Sequence, residues 1–267
     1  MTLPNFLMIG AQKSGTTAIY AYIAQHPQVF TSENKEPGFF AFEGQPAAFT
    51  GPDDARGERY RVRDIERYRE LFRAAGAQPR RGEASNVHLY VPQAADRIRH
   101  YVPEAKLIAV LRDPVDRAYS AYRHLVRDGR EDLSFEDALA AEPRRIAANW
   151  HPHWHYLARG FYHAQLARFY ERFDPRQIAV YTYDDFRRDP AGMLRSVFTF
   201  LEIDPDFLPD MSVRHNVSGV PRFRLLHGLV ARPSAAKDLV KRLIPTGARQ
   251  RIRSALMDRN IVAGEPR

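Results

Sequence analysis

A chain of 267 residues with 44% hydrophobic and 27% charged content has enough apolar material for one sizeable core, which excludes a disordered protein. It has no cysteine, which excludes a disulfide framework and a thiolate metal site and suits a reducing compartment. The formal net charge of +8 is uneven: residues 222–267 hold eleven Lys/Arg against three acids, a difference of +8, so residues 1–221 balance to zero. The basic tail suits either an anionic partner, including peripheral contact with a membrane surface, or a solvated helical face. No basic run followed by an apolar one opens the chain, and no apolar stretch approaches the ~18 residues that cross a bilayer, so a cytoplasmic location is expected.

Leu7-Met8-Ile9-Gly10 reads as a short buried strand ending in glycine, and Thr16 to Gln25 as a helix stopped by His26-Pro27. Residues 45–63, rich in Gly, Pro and charge, read as a long surface loop, and Ile65 to Ala75 as a helix. Lys106 to Leu111 is the strongest strand. Asp113-Pro114 follows it as a cap and a first-position proline, opening a helix to about Arg127. Ala164 to Phe173 reads as a helix, Gln177 to Tyr183 as a third strand, and Met193 to Leu201 as a further helix. Strands alternating with helices predict an α/β domain with a central parallel sheet covered by helices on both faces. No linker is evident, so residues 1–267 are expected to form one domain, with 225–267 as a basic helical C-terminal extension.

Gly10-Ala11-Gln12-Lys13-Ser14-Gly15-Thr16-Thr17 joins the first strand to the first helix, where backbone N–H groups and a helix N-terminus face an anion. Gly10, Gly15 and Thr17 keep the spacing of the nucleotide-hydrolase loop, but its lysine position holds Thr16 and the lysine has moved to Lys13. In that position Lys13 suits a single phosphate and its leaving oxygen. The strand end where a hydrolase carries a metal-binding Asp carries Arg112, and a guanidinium holds phosphate directly without a metal. Asp113 is most simply the helix cap. Ser120 lies about two turns beyond it, facing the same way, so Arg112 and Ser120 form a second candidate phosphate site.

These residues carry a family resemblance. Gln12 to Thr17 resembles the 5′-phosphosulfate loop of sulfotransferases that use 3′-phosphoadenosine 5′-phosphosulfate (PAPS). Arg112-Asp113-Pro114-Val115-Asp116-Arg117-Ala118-Tyr119-Ser120 resembles their 3′-phosphate motif. His26-Pro27, Lys35-Glu36-Pro37-Gly38-Phe39-Phe40, Gly160-Phe161-Tyr162 and Asn216 to Arg222 are similar to segments of the heparan sulfate N- and 3-O-sulfotransferase branch and its bacterial relatives. The resemblance covers about residues 5–225. It implies a P-loop-NTPase-like three-layer fold and metal-free transfer of a sulfuryl group from PAPS to an acceptor hydroxyl or amine on a small molecule or glycan, with no nucleic acid as partner. Lys13 should meet the 5′-phosphate and bridging oxygen, and Ser14, Gly15, Thr16 and Thr17 should cradle that phosphate. Arg112 and Ser120 should hold the 3′-phosphate, with Ser218 and Arg222 as further donor contacts. Glu36 matches the branch's catalytic base, with Glu33 a rival and His124 an alternative.

A glutamate base calls for a raised pKa or a well-placed hydrogen bond, and Pro37, Phe39 and Phe40 are candidates for an apolar wall around Glu36. The disulfide-closed loop of Golgi relatives has no cysteine here, and Ala84 stands where glycan-modifying members often have a lysine-containing stretch. His151, His153 and His155 alternate beside Trp150 and Trp154, a pattern that suits a packed loop better than a metal cluster. Two other classes fit less of the chain. A P-loop kinase or NTPase needs lysine at position 16 and a magnesium carboxylate. A non-enzymatic anion or nucleic-acid binder would use only the tail.

Overall fold

A computed structural model describes residues 3–46, 48–55 and 60–212, together with two short strands, Gly219–Pro221 and Ile261–Ala263. Five parallel strands form the central sheet: β1 (Phe6–Gly10), β2 (Val29–Thr31), β3 (Arg80–Glu83), β4 (Lys106–Leu111) and β5 (Ile178–Thr182), in the order β2-β3-β1-β4-β5. Period-two alternation explains its two buried faces. Leu7, Ile9, Leu107 and Ala109 point to one face, and Phe6, Met8, Ile108 and Val110 to the other. The first face is covered by α2 (Phe39–Phe42), α3 (Ile65–Glu70), α4 (Gln93–Tyr101) and α7 (Tyr162–Tyr170). The second is covered by α1 (Thr16–Ile23) and α9 (Pro190–Phe200). The expected α/β sandwich with a parallel sheet is therefore present.

The helix that follows β4, α5 (Pro114–Arg127), begins as the sequence dictates: Asp113 Oδ1 accepts from the N–H groups of Val115 and Asp116 at 2.9 Å, with Pro114 at the first helical position. With α6 (Phe135–Ala147) it encloses a smaller core around Trp154 and Tyr156. There Glu131 and Arg145 form a buried two-point ion pair at 2.6 and 3.0 Å, and the Tyr156 hydroxyl donates to Glu131 at 2.8 Å. A last short helix, α8 (Tyr183–Arg188), follows β5 at once.

Three expectations shift. The helix predicted from Ala164 starts at Tyr162, and the one predicted from Met193 starts at Pro190, behind an Asp189 cap that accepts from Gly192 N at 2.9 Å. Ile261–Ala263, inside the stretch expected as a helical extension, pairs antiparallel with Gly219–Pro221. The rest of 225–267 lies outside the described residues. Among the described residues no helix is long and apolar enough to cross a membrane.

Candidate active site

The loop Ala11 to Thr17, Glu36 and Arg112 follow the C-terminal ends of β1, β2 and β4, where open α/β sheets bind ligands. The loop after β1 curls through two left-handed residues, Lys13 (φ 66) and Gly15 (φ 79). Gly15 is required twice over: its φ disfavours a side chain, and a Cβ there would meet the Tyr183 ring at 2.9 Å. Gly15 also starts α1, which has no side-chain cap and no acidic residue in its first turn, so its N-terminal N–H groups remain available to an anion.

Lys13 makes no salt bridge or hydrogen bond through its ammonium among the described residues. Burial, with Arg127 and Arg112 nearby, lowers its pKa to about 8 against the pull of Asp128 and Glu36. Ser14 Oγ is fully buried without a hydrogen-bond partner; the Tyr162 hydroxyl beside it donates to Arg112 O at 3.0 Å instead. Arg112 donates to Lys13 O and to Asp116 Oδ2, both at 3.4 Å, and lies 4.9 Å over the Tyr183 ring, while its buried Nε has no partner. A free lysine, a buried hydroxyl and a half-satisfied guanidinium at one strand edge form a cationic cradle waiting for oxygens. Ser120 is half-buried on α5, and no side-chain hydrogen bond of its hydroxyl is seen among the described residues. Ser218 and Arg222 lie outside the described residues.

Opposite Lys13, the segment after β2 brings in Glu36. Its Oε1 accepts from Lys35 Nζ at 2.8 Å and its Oε2 from Asn86 Nδ2 at 2.9 Å, while its backbone carbonyl accepts from Arg61 at 2.9 Å. Lys35 Nζ also donates to Thr17 Oγ1 at 3.1 Å, which ties the carboxylate to the loop. Asn86 is held in turn by Arg159, which is 3% exposed and donates to Asn86 Oδ1 at 2.7 Å and Asn86 O at 3.0 Å. Glu33 is exposed and joins none of these bonds. It stands instead on an open cleft of about 700 Å³ that Lys35, Glu36, Tyr60, Arg61 and Arg67 also line.

Of the residues expected to wall Glu36, Pro37 is buried and the two phenylalanines belong to the hydrophobic core. Phe39 is stacked 4.5 Å from Tyr68. Burial does push the Glu36 carboxyl up, but Lys35, Arg61 and Arg159 outweigh it and hold the group below the ordinary glutamate value. The cations reach Glu36 from Lys35 beside it and from two distant segments, which sequence adjacency does not reveal.

Burial disfavours the charged form of His124, His151, His153 and His155. His124 is lowered to about 4, first by burial and then by Lys13. Its Nδ1 meets Arg127 Nη2 at 2.6 Å, and a guanidinium can only donate, so that nitrogen's lone pair is occupied. Burial lowers His151 and His153 well below the usual range. His153 Nδ1 faces Gln12 at 3.1 Å, and His155 bridges the Tyr90 hydroxyl (2.8 Å) and Trp150 O (3.1 Å). Among the described residues no group of three or more His, Cys, Asp or Glu could hold a metal. Asn86, Arg61 and Arg159 went unnoticed in the sequence because none lies in a phosphate-type motif. The signal that was available is Arg159 directly before the Gly160-Phe161-Tyr162 segment.

Comparison with known proteins agrees with this geometry. The family model described as "Sulfotransferase family" matches residues 4–207. The human bifunctional heparan sulfate N-deacetylase/N-sulfotransferase 3 is 30% identical over 212 residues, covering 77% of this chain and 23% of that protein. A Caenorhabditis briggsae counterpart is 29% identical over 237 residues, covering 85% and 26%. The chain thus spans about a quarter of the length of these curated relatives. A crystal structure of a sulfotransferase from Alicyclobacillus acidocaldarius superposes with a TM-score of 0.76 at 39% identity, covering 86% of this chain and 91% of that one. The sequence motifs, the fold they build and these matches together show that the chain belongs to the sulfotransferase family.

Proposed function

We propose that this chain transfers the sulfuryl group of PAPS to a hydroxyl or amine of an acceptor, a glycan, glycolipid or secondary metabolite, and releases adenosine 3′,5′-bisphosphate (PAP). The observation that carries this reading is the juxtaposition across one strand edge of Lys13, whose ammonium has no partner among the described residues and whose loop is bonded to Arg112, and a Glu36 carboxylate. When bound, PAPS supplies an activated sulfur and an anionic leaving group. The cradle suits it: Ser14 Oγ and Arg112 Nε are buried donors without acceptors. Lys13, Ser14, Gly15, Thr16 and Thr17 are assigned to the 5′-phosphosulfate, and Arg112 with Ser120 to the 3′-phosphate. Lys13 neutralises charge on the departing phosphate oxygen.

Glu36 takes the acceptor proton. Its low pKa keeps it ionised at neutral pH, and it is held by two hydrogen bonds, so its service as a base comes from placement more than from basicity. His124 suits that role less, since its Nδ1 is engaged by Arg127. In Glu36→Gln, PAP binding measured by calorimetry should persist while turnover with labelled PAPS falls by ~10²-fold or more. Near-normal turnover removes Glu36 from this role. An acceptor screen with labelled PAPS identifies the second substrate.

A further inference from the structure

Lys35 joins the phosphate loop to the carboxylate, and the transfer step as written leaves it without a task. Donor and acceptor chemistry fix the direction of every bond around it. An ammonium only donates, so Thr17 Oγ1 accepts from Lys35 at 3.1 Å, and the Thr17 O–H proton itself has no partner among the described residues. A carboxylate only accepts, so Glu36 uses Oε1 for Lys35 and Oε2 for Asn86. Asn86 cannot flip its amide, because Oδ1 accepts from the buried Arg159. In the series Arg159, Asn86, Glu36, Lys35, Thr17 every bond direction is therefore fixed, and the Thr17 hydroxyl, accepting from Lys35, must donate its own proton elsewhere. That donor, the Thr17 hydroxyl, stands in the first turn of α1, the helix whose N-terminus has neither a side-chain cap nor an acidic residue.

We propose that Lys35 is a positioning residue that couples the base to the donor loop: it turns the Thr17 hydroxyl proton toward a phosphate held there and, through its ion pair, holds the Glu36 carboxylate in a single orientation. The inference rests on the reading of Glu36 as the base. Lys35 gives up no proton in the reaction. The acceptor proton passes to Glu36, a new bond forms from the acceptor oxygen or nitrogen to sulfur as the bridging S–O bond breaks, and the electron pair left on the phosphate oxygen is met by Lys13. Lys35 acts only through the two groups it touches.

The charges that act most on Glu36 are the cations Lys35, Arg61 and Arg159, with Lys13 across the site, while Glu33, Arg67 and Glu70 share the cleft that Glu36 lines. Removing the charge of Lys35 therefore leaves Glu36 a carboxylate at neutral pH but a less acidic one. A cation this close lowers a carboxyl by about 1–3 pH units, so its loss is measurable.

The test compares the full chain with Lys35→Met, which keeps the apolar stem and deletes the ammonium, and with Lys35→Arg, which keeps the charge. Lys35→Gln serves if the methionine variant is unstable. The Glu36 carboxyl carbon is titrated by NMR, its resonance identified by its loss in Glu36→Gln, and PAP affinity is measured by calorimetry. In Lys35→Met the Glu36 midpoint should rise by about 1 unit or more, and PAP affinity should fall by about fivefold as the Thr17 hydroxyl loses its fixed direction. Lys35→Arg should return the midpoint toward wild type. An unmoved midpoint overturns the proposal, and so does a shifted midpoint with unchanged PAP affinity, since the link to Thr17 would then be absent. Neither readout uses turnover. Full activity in Glu36→Gln would remove the base assignment while leaving the Lys35 measurements to be judged on their own.

Discussion

Lys13 and Glu36 carry opposite charges and are tuned in the same sense, both pKa values lying below their ordinary ones, by different causes. For Lys13 burial is the largest cause, and it disfavours the charged form. For Glu36 burial works the other way and is overridden by Lys35, Arg61 and Arg159. The two shifts bound a pH window. Glu36 is ionised throughout the neutral range, so no acid limb is expected above the ordinary glutamate value. Lys13 loses its proton as pH rises through about 8, and the neutral amine no longer attracts an anion. PAP affinity should therefore be flat below pH 8 and fall above it, and calorimetry across this range should show that dependence vanish in Lys13→Ala. Lys13 stood out in the sequence because its place in the loop after the first strand has a chemical reason, and Glu36 because its segment resembles one of the heparan sulfate sulfotransferase branch. The cations around Glu36 did not, because Arg61 and Arg159 reach it from a loop and a turn far along the chain.

At the level of elements, the strands found from sequence are those whose residues are apolar on both faces, β1 and β4 above all. β3 escaped because Arg80-Arg81-Gly82-Glu83 has no apolar side chain. It is a strand by context, paired in parallel to both β1 and β2, with Gly82 leaving room for the Phe6 ring. α6 likewise escaped notice. Its Ser134 cap accepts from Asp137 N at 3.1 Å, a recognisable start signal, but Pro143 lies inside the helix. The small core that α5 and α6 share depends on the buried Glu131–Arg145 pair. Glu131→Ala leaves the Arg145 charge uncompensated beside Trp154, 4.9 Å away. It should cost about 3–5 kcal/mol in denaturant unfolding, with PAP affinity of the folded variant near wild type because the phosphate loop is built on the other core.

For the molecule as a whole, a parallel sheet buried on both faces was predictable from strands alternating with helices, and its C-terminal edge was the predictable place for a site. The loop after β1, Arg112 after β4, Tyr183 after β5 and Asn86 after β3 all converge there. The order of the strands was not legible, since β2 has only three residues and β3 no apolar side chain, and β3 takes its place between β2 and β1 through tertiary pairing. The cleft beside Glu36 mixes the cations Lys35, Arg61 and Arg67 with the carboxylates of Glu33, Glu36 and Glu70, so it presents no uniform field of one sign.

The proposed function requires two anion-binding positions at neighbouring strand ends, one around Lys13 and one around Arg112, that together would hold a bisphosphorylated adenosine without magnesium. Calorimetry of the full chain with PAP in excess chelator tests this most directly. One binding event that survives the chelator and is lost in both Lys13→Ala and Arg112→Ala is the predicted result. A silent titration with PAP, or binding of magnesium ATP in its place, would contradict it.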